Sequence, residues 1–145
     1  MELFKDVSIR EVGAPVAAAS NTDSNSDRID MSGYEGVIFI TAITDSVDTG
    51  VAVLKAEGNS ADSDTGMTLI TGASSTATSA ANDDLNDQLL IVSVNKPQSR
   101  YVQAVRTSAT ANLAFGSVIA ILYGGKKLPE SDHSTVLDSA AVVGS

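Results

Sequence analysis

Oxygen ligands are the first chemistry the sequence offers. Asp23-Ser24-Asn25-Ser26-Asp27 sets carboxylate and amide side chains at alternate positions, the spacing with which a calcium loop presents its oxygens. The glycine such a loop needs for its sharp turn is missing. Tyr34 stands eleven positions after Asp23, where a bidentate carboxylate belongs. Asp62-Ser63-Asp64 and Asp83-Asp84 with Asp87 add carboxylates in loops that give them no common direction. Solvated acidic turns account for all three groups, with a cation shared between subunits as the alternative use. No metal and no other cofactor is expected.

Nucleophilic chemistry finds less support. His133 is the single imidazole, flanked by Asp132 and Ser134 in a polar tail. Three neighbours in sequence do not make a triad, which needs a rigid scaffold and an oxyanion hole. Paired carboxylates could serve a glycosidase, but such sites sit in clefts with aromatic walls, and the chain holds three Phe, three Tyr and no Trp. Gly124-Gly125-Lys126-Lys127 lacks the spacing and the following Ser or Thr of a phosphate loop. Cysteine is absent, which removes disulfides, thiolate nucleophiles and thiolate metal sites. The expectation is a protein without catalytic activity.

Charge narrows the partners. Eighteen acidic residues against nine basic ones give a net charge of −9 over 145 residues. Binding to nucleic acid draws on cationic side chains that displace counterions from phosphates. The only adjacent basic pair here is Lys126-Lys127, and the four Arg are scattered. Anionic membrane surfaces are disfavoured for the same reason. The longest apolar run falls far short of the ~20 residues that cross a bilayer, and no signal-peptide layout opens the chain. Neither nucleic acid nor membrane is an expected partner.

Protein surfaces remain. Arg100, Tyr101, Gln103 and Arg106 share one predicted strand and would offer a basic spot to an acidic neighbour, Tyr and Arg being common interface anchors. The alternative is an ordinary strand with a wet polar face. Leu3 and Phe4 on a terminal arm make sense if the arm packs on another chain. Tyr34 in the turn Gly33-Tyr34-Glu35-Gly36, and Val136 and Leu137 in the tail, complete the candidate interface residues.

The elements that must position these residues read as short strands between small-residue loops. Val7–Val12 is predicted as a first strand, although Leu3, Phe4 and Val7 also fit a helical face. Gly13–Ser26 reads as a loop or extended arm. Asp27–Ser32 alternates, with Ile29 and Met31 on one side and Arg28 and Asp30 on the other, the signature of a half-buried strand. Val37–Ile43 and Leu89–Val94 are apolar on both faces and read as doubly buried central strands. Val51–Glu57, Met67–Thr71, Arg100–Thr107 and Leu113–Tyr123 complete a set of about eight strands, with Gly72–Asp87 as one long surface excursion. Ser131–Val143 is predicted as a short helix with Val136, Leu137, Ala140 and Ala141 on one face and Gly144 as its C-cap.

No segment supplies the amphipathic crossover helices of a parallel α/β fold. The fold class predicted is all-β: an antiparallel β-sandwich of jelly-roll type with extended N- and C-terminal arms. As organisation, residues 1–26 form an N-terminal strand or arm and loop, 27–125 the sandwich core, and 126–145 a C-terminal tail, within one domain overall.

The run Asp27-Arg28-Ile29-Asp30-Met31-Ser32-Gly33-Tyr34-Glu35-Gly36-Val37-Ile38-Phe39, the Thr-bearing strand it leads into, and Lys96-Pro97 followed by Arg100-Tyr101-Val102 carry a resemblance. The pattern resembles the jelly-roll cement (decoration) proteins of tailed bacteriophage capsids, from about Asp27 to Tyr123 and without the tail. The resemblance implies a virion protein that binds the outside of an assembled head, bridges neighbouring major capsid proteins and resists internal DNA pressure. It implies synthesis in the bacterial host cytoplasm, self-association as a homodimer or homotrimer, and no catalytic residues. Other expectations from the same composition are a head–tail joining or tail component, or a carbohydrate- or receptor-binding β-sandwich assisted by calcium at Asp23, Asn25 and Asp27.

Overall fold

Alternating or continuous β-branched and apolar residues drive ten strands, and small polar residues separate them. The computed structural model describes residues 3–126, 128, 130–142 and 144. Lys127 of the basic pair, Pro129 and the Val143 end of the expected tail helix lie outside the described residues. After a single helical turn, α1 (Leu3–Asp6), come β1 (Val7–Gly13), β2 (Val16–Ala19), β3 (Thr22–Asn25), β4 (Ile29–Asp30), β5 (Gly36–Ser46), β6 (Val51–Asn59), β7 (Thr68–Thr78), β8 (Gln88–Asn95), β9 (Tyr101–Ala109) and β10 (Leu113–Tyr123).

The strands form two antiparallel sheets. The first has the order β1-β10-β5-β8, with β2 also on β10; the second has the order β3-β9-β6-β7, with β4 also on β9. Pairing is nested: β6 with β7, β5 with β8, β3 and β4 with β9, and β1 and β2 with β10. Buried side chains from both sheets, among them Val37, Phe39, Leu90, Val92, Leu113 and Leu122 from the first and Leu54, Val102 and Ala104 from the second, make one hydrophobic cluster. Two antiparallel sheets over one core are the arrangement of a β-sandwich.

Residues 13–26, expected as a loop or arm, enter both sheets. Pro15 cannot donate to a ladder, so the first strand stops at Gly13 and resumes as β2. Ser26 interrupts the next strand without leaving the sheet: its N–H donates to the Ala104 carbonyl at 2.8 Å, and its buried hydroxyl accepts the Ala104 N–H at 2.9 Å. The expected excursion Gly72–Asp87 is also a strand for half its length. β7 runs to Thr78, and its core-facing residues Ala73, Ser75 and Ala77 are too small to signal burial.

The tail forms no helix among the described residues. A short helix needs a docking face to overcome its nucleation cost. Here the segment is fastened as an extended strap instead. Glu130 N–H donates to the Lys5 carbonyl at 2.8 Å, Glu11 N–H donates to the Thr135 hydroxyl at 3.1 Å, and a turn closes from Val136 N–H to the His133 carbonyl. Beyond it Leu137 is fully exposed and Val142 nearly so.

Candidate interaction surfaces

The groups that could do chemistry are engaged with the fold. Asp23 lies on β3 and accepts the Thr107 hydroxyl at 2.8 Å. Arg28 bridges Asp62 and Asp64 at 2.6 and 2.7 Å, which ties the β6–β7 loop to the β3–β4 segment. Asp84 accepts the Ser79 hydroxyl and the Ala80 N–H, and these bonds hold its carboxyl below the usual carboxylate range. Among the described residues no three His, Cys, Asp or Glu side chains gather as a metal site. His133 Nδ1 meets the Thr135 hydroxyl at 2.9 Å; its partial burial where the strap docks, and then the nearby Arg10, hold its pKa below the ordinary value.

The predicted interface residues fall into three groups. Leu3, Phe4 and Val136 lie by the strap. Phe4 and Val136 line a 280 Å³ groove with Val7 and Ile9, while Leu3 lines a neighbouring 480 Å³ groove with Val7, Ile38, Ile121 and Tyr123. Leu137 projects from the strap into solvent. Tyr34 serves the strap from inside: its hydroxyl accepts from Arg10 at 3.3 Å and donates to Glu130 at 3.4 Å, and the Arg10 guanidinium lies over its ring.

Arg100 and Tyr101 sit together at the start of β9, between β4 and β6, the guanidinium 5.2 Å from the ring centroid. Arg100 also grips Asp30 through two bonds of 3.0 and 2.9 Å. With the Ser32 N–H, it holds the Asp30 carboxyl down to about 2. The basic spot expected there is therefore largely neutralised.

Arg106 corrects the sequence reading. It is only 3% exposed and points between the sheets, not out of one. On β9 it pairs with Leu54 of β6, a core-facing position. Its Nη1 donates to the carbonyls of Ala14 at 2.6 Å and Gly116 at 2.8 Å. Gly116 lies in the bulge of β10 between Phe115 and Val118, and Ala14 in the gap between β1 and β2, where ladder partners are lacking. A long guanidinium satisfies both carbonyls at once, and burial without a carboxylate partner lowers its pKa. Gly13 is required beside it, because a Cβ there would collide with the guanidinium.

Sequence reasoning missed an aliphatic outer face, although its signal was present. On β5 the buried positions Val37, Phe39, Thr41 and Ile43 face the core, so Ile38, Ile40 and Ala42 face outward. Registered beside them are Ile119 and Ile121 of β10, Ile9 of β1, and Leu89 and Ile91 of β8. One row reads Ile9-Ile121-Ile38-Ser93, the next Glu11-Ile119-Ile40-Ile91, and Ala42 pairs with Leu89. Leu89 and Ile91, expected to be doubly buried with their strand, are 59% and 51% exposed. A fully covered Ile or Leu contributes roughly 1.5–3 kcal/mol, and much of that is unrealised on this face. At its end Tyr123 lies across Gly36, where any Cβ would strike the Tyr123 hydroxyl.

The second sheet's outer side is different. Asp23, Lys55, Glu57, Thr107 and Thr76 share it with Val51 and Val53, while Gln103 and Val105 on the same side are buried, Gln103 Nε2 donating to Glu57 at 3.1 Å. The chain thus carries one aliphatic outer face, one polar outer face and an exposed strap. Comparison with protein-family models finds no match, and comparison with curated proteins finds none.

Proposed function

We propose that this chain is a non-catalytic structural protein: a capsid cement (decoration) protein that binds the outside of a bacteriophage head and stabilises it by bridging major capsid proteins. The observation that carries this reading is the aliphatic surface left uncovered on one sheet and on the strap, while the carboxylates at Asp23, Asp30, Asp62, Asp64 and Asp84 have internal partners. Such a molecule is made to assemble with other protein, further copies of itself included. A net charge of −9 keeps particles dressed in it dispersed, and an absence of Cys suits assembly in the reducing cytoplasm of a bacterial host. Weak contacts by single copies suffice on a lattice, because many copies engage together.

In this proposal the sandwich is a jelly roll. Counting β1 with β2 and β3 with β4 as interrupted single strands leaves eight, four to a sheet. Nested antiparallel pairing, with successive strands crossing between sheets except at the β6–β7 hairpin, supports that reading.

The test uses shells assembled from the major capsid protein of the same genome. Purified chain should co-sediment saturably with assembled shells and not with unassembled capsid subunits. Cryo-electron microscopy should then find its density repeating across the outer surface in hundreds of copies. Well-formed but bare shells would overturn the reading, and density confined to one vertex would replace it with a head–tail joining role.

A further inference from the structure

We infer that the outer face of the β1-β10-β5-β8 sheet is covered by the same face of a second copy, forming a two-fold dimer of stacked sandwiches. The inference rests on the reading of the chain as an assembly protein, not on the identity of the shell.

Composition is the first argument. Ile9, Ile38, Ile40, Leu89, Ile91, Ile119 and Ile121 make up the face. Among the described residues in its registered rows the charged side chains lie at the margins, Glu11 on β1 and Asp45 past the β5 bulge opposite Ala114. Surfaces that bind and release partners are about as apolar as the rest of a protein, whereas homodimer interfaces resemble a core cut in half. A face this aliphatic needs a partner present from synthesis onward. A second copy meets that condition for the sheet, and the exposed aliphatic side chains of the strap, Leu137 and Val142, remain for the shell.

Charge points the same way. Two chains of −9 repel, so a contact between them is favoured where neither brings charge to the centre. This face meets that requirement, and the outer face bearing Asp23, Lys55 and Glu57 does not. Flat antiparallel sheets also stack on one another readily, with strands about 30° apart and about 10 Å between sheets.

Area sets the extent of the contact. Four strands about 4.8 Å apart and about five residues long cover roughly 300 Å² in projection. A stable dimer buries about 800 Å² on each partner. The flat face alone falls short, so the contact must spread onto its margins. Those margins form a mixed rim around the apolar centre: the 480 Å³ groove sets Leu3, Val7, Ile38, Ile121 and Tyr123 beside Asp6, and the strap groove by Ile9 adds Glu130, Asp132 and Asp138 to Phe4 and Val136. With the face so used, the polar outer faces and the ends of the straps remain for the shell.

The test needs no shells. Sedimentation equilibrium of the purified chain should give twice the 14.8 kDa of one chain. Ile40→Lys should return it to the monomer mass while keeping the β-sheet circular dichroism spectrum. Because the chain has no cysteine, single spin labels at Ser93→Cys and Thr76→Cys report the geometry even if Ile40→Lys fails to fold. Electron–electron resonance should place the two Ser93 labels within about 25 Å of each other. The Thr76 labels should lie beyond about 30 Å, since three sheet spacings separate the outer faces. A monomer at millimolar concentration, a trimer, or Thr76 labels closer than Ser93 labels would each overturn the inference. A monomer that still binds shells would leave the proposed function standing, and a dimer that ignores shells would leave only the dimer.

Discussion

The two outer faces of this sandwich come from strands of similar length and pairing, yet they meet solvent on different terms. On β6 and β9 the outward positions set Lys55, Glu57 and Thr107 among Val51 and Val53, with Gln103 and Val105 buried beside them, and cross-strand hydrogen bonds reach Glu57 and Asp23. On β5 and β10 the equivalent positions carry Ile38, Ile40, Ile119 and Ile121 in registered pairs. An antiparallel sheet can keep one side wet, and the second sheet does. The first is built as though both sides were interior. Local strand propensity is satisfied equally in both, so the difference lies in what each face is meant to touch.

The comparison can be broken most severely by removing what joins the sheets. Arg106→Met takes away both bonds to the Ala14 and Gly116 carbonyls, which the interrupted ladders leave without another backbone partner, and leaves an apolar chain in place of a buried guanidinium. A loss of about 2–4 kcal/mol in unfolding free energy is expected, read by urea melting. A loss under about 0.5 kcal/mol would mean that the two bulged segments do not depend on this tie.

Next in size is a matched pair of charges. Ile40→Lys in the aliphatic face should weaken self-association at least about 100-fold, or about 2.7 kcal/mol. Val53→Lys on the polar face, beside Thr107 and Thr76, should leave it within about two-fold. Equal effects in sedimentation would erase the distinction between the faces.

A smaller effect sharpens the polar side. The Asp30 carboxyl, held down to about 2 by Arg100, stabilises the fold above the ordinary carboxylate value of about 3.9. That contribution is lost as pH falls from there through about 2. The pair is exposed, so Arg100→Ala should leave stability at neutral pH nearly unchanged. It should also raise the Asp30 pKa toward its ordinary value, as carbon-detected NMR titration would show.

The smallest effect concerns the strap at the margin of the aliphatic face. His133 has a lowered pKa because the docked strap partly buries it and Arg10 lies near. Docking is therefore favoured above the ordinary His value of about 6.5 and lost as pH falls through the lowered one. Proteolysis within residues 131–142 should quicken at acidic pH in the native chain. It should lose that pH dependence in His133→Gln.

Much of the sandwich was legible in the sequence because its strands carry strong local patterns. Leu113–Tyr123 has the boundaries read from its sequence, and Ile29 and Met31 are buried beside exposed Arg28 and Asp30 as their alternation requires. β7 was not legible beyond Thr71, because Ala73, Ser75 and Ala77 hold their places through the ladder to β6 and not through bulk. Nor was the strap, whose path depends on the Lys5 carbonyl, Glu11 N–H and Tyr34, all distant in sequence. The direction of Arg106 follows from two interrupted ladders that no local pattern announces. The apolar double faces of Val37–Ile43 and Leu89–Val94 were visible, but they read as burial on both sides within one chain. The second cover is absent from this chain's own fold, and the face waiting for it is the most informative surface of the molecule.

The most direct test of that claim is carbene footprinting read by mass spectrometry over a concentration series from 1 μM to 1 mM. The account predicts that labelling of the β5, β8 and β10 outer side chains falls as concentration rises, while labelling of the β6 and β7 outer side chains stays constant. Labelling of Ile40, Ile91 and Ile119 that holds steady to 1 mM, in step with Val53 and Thr76, would contradict it.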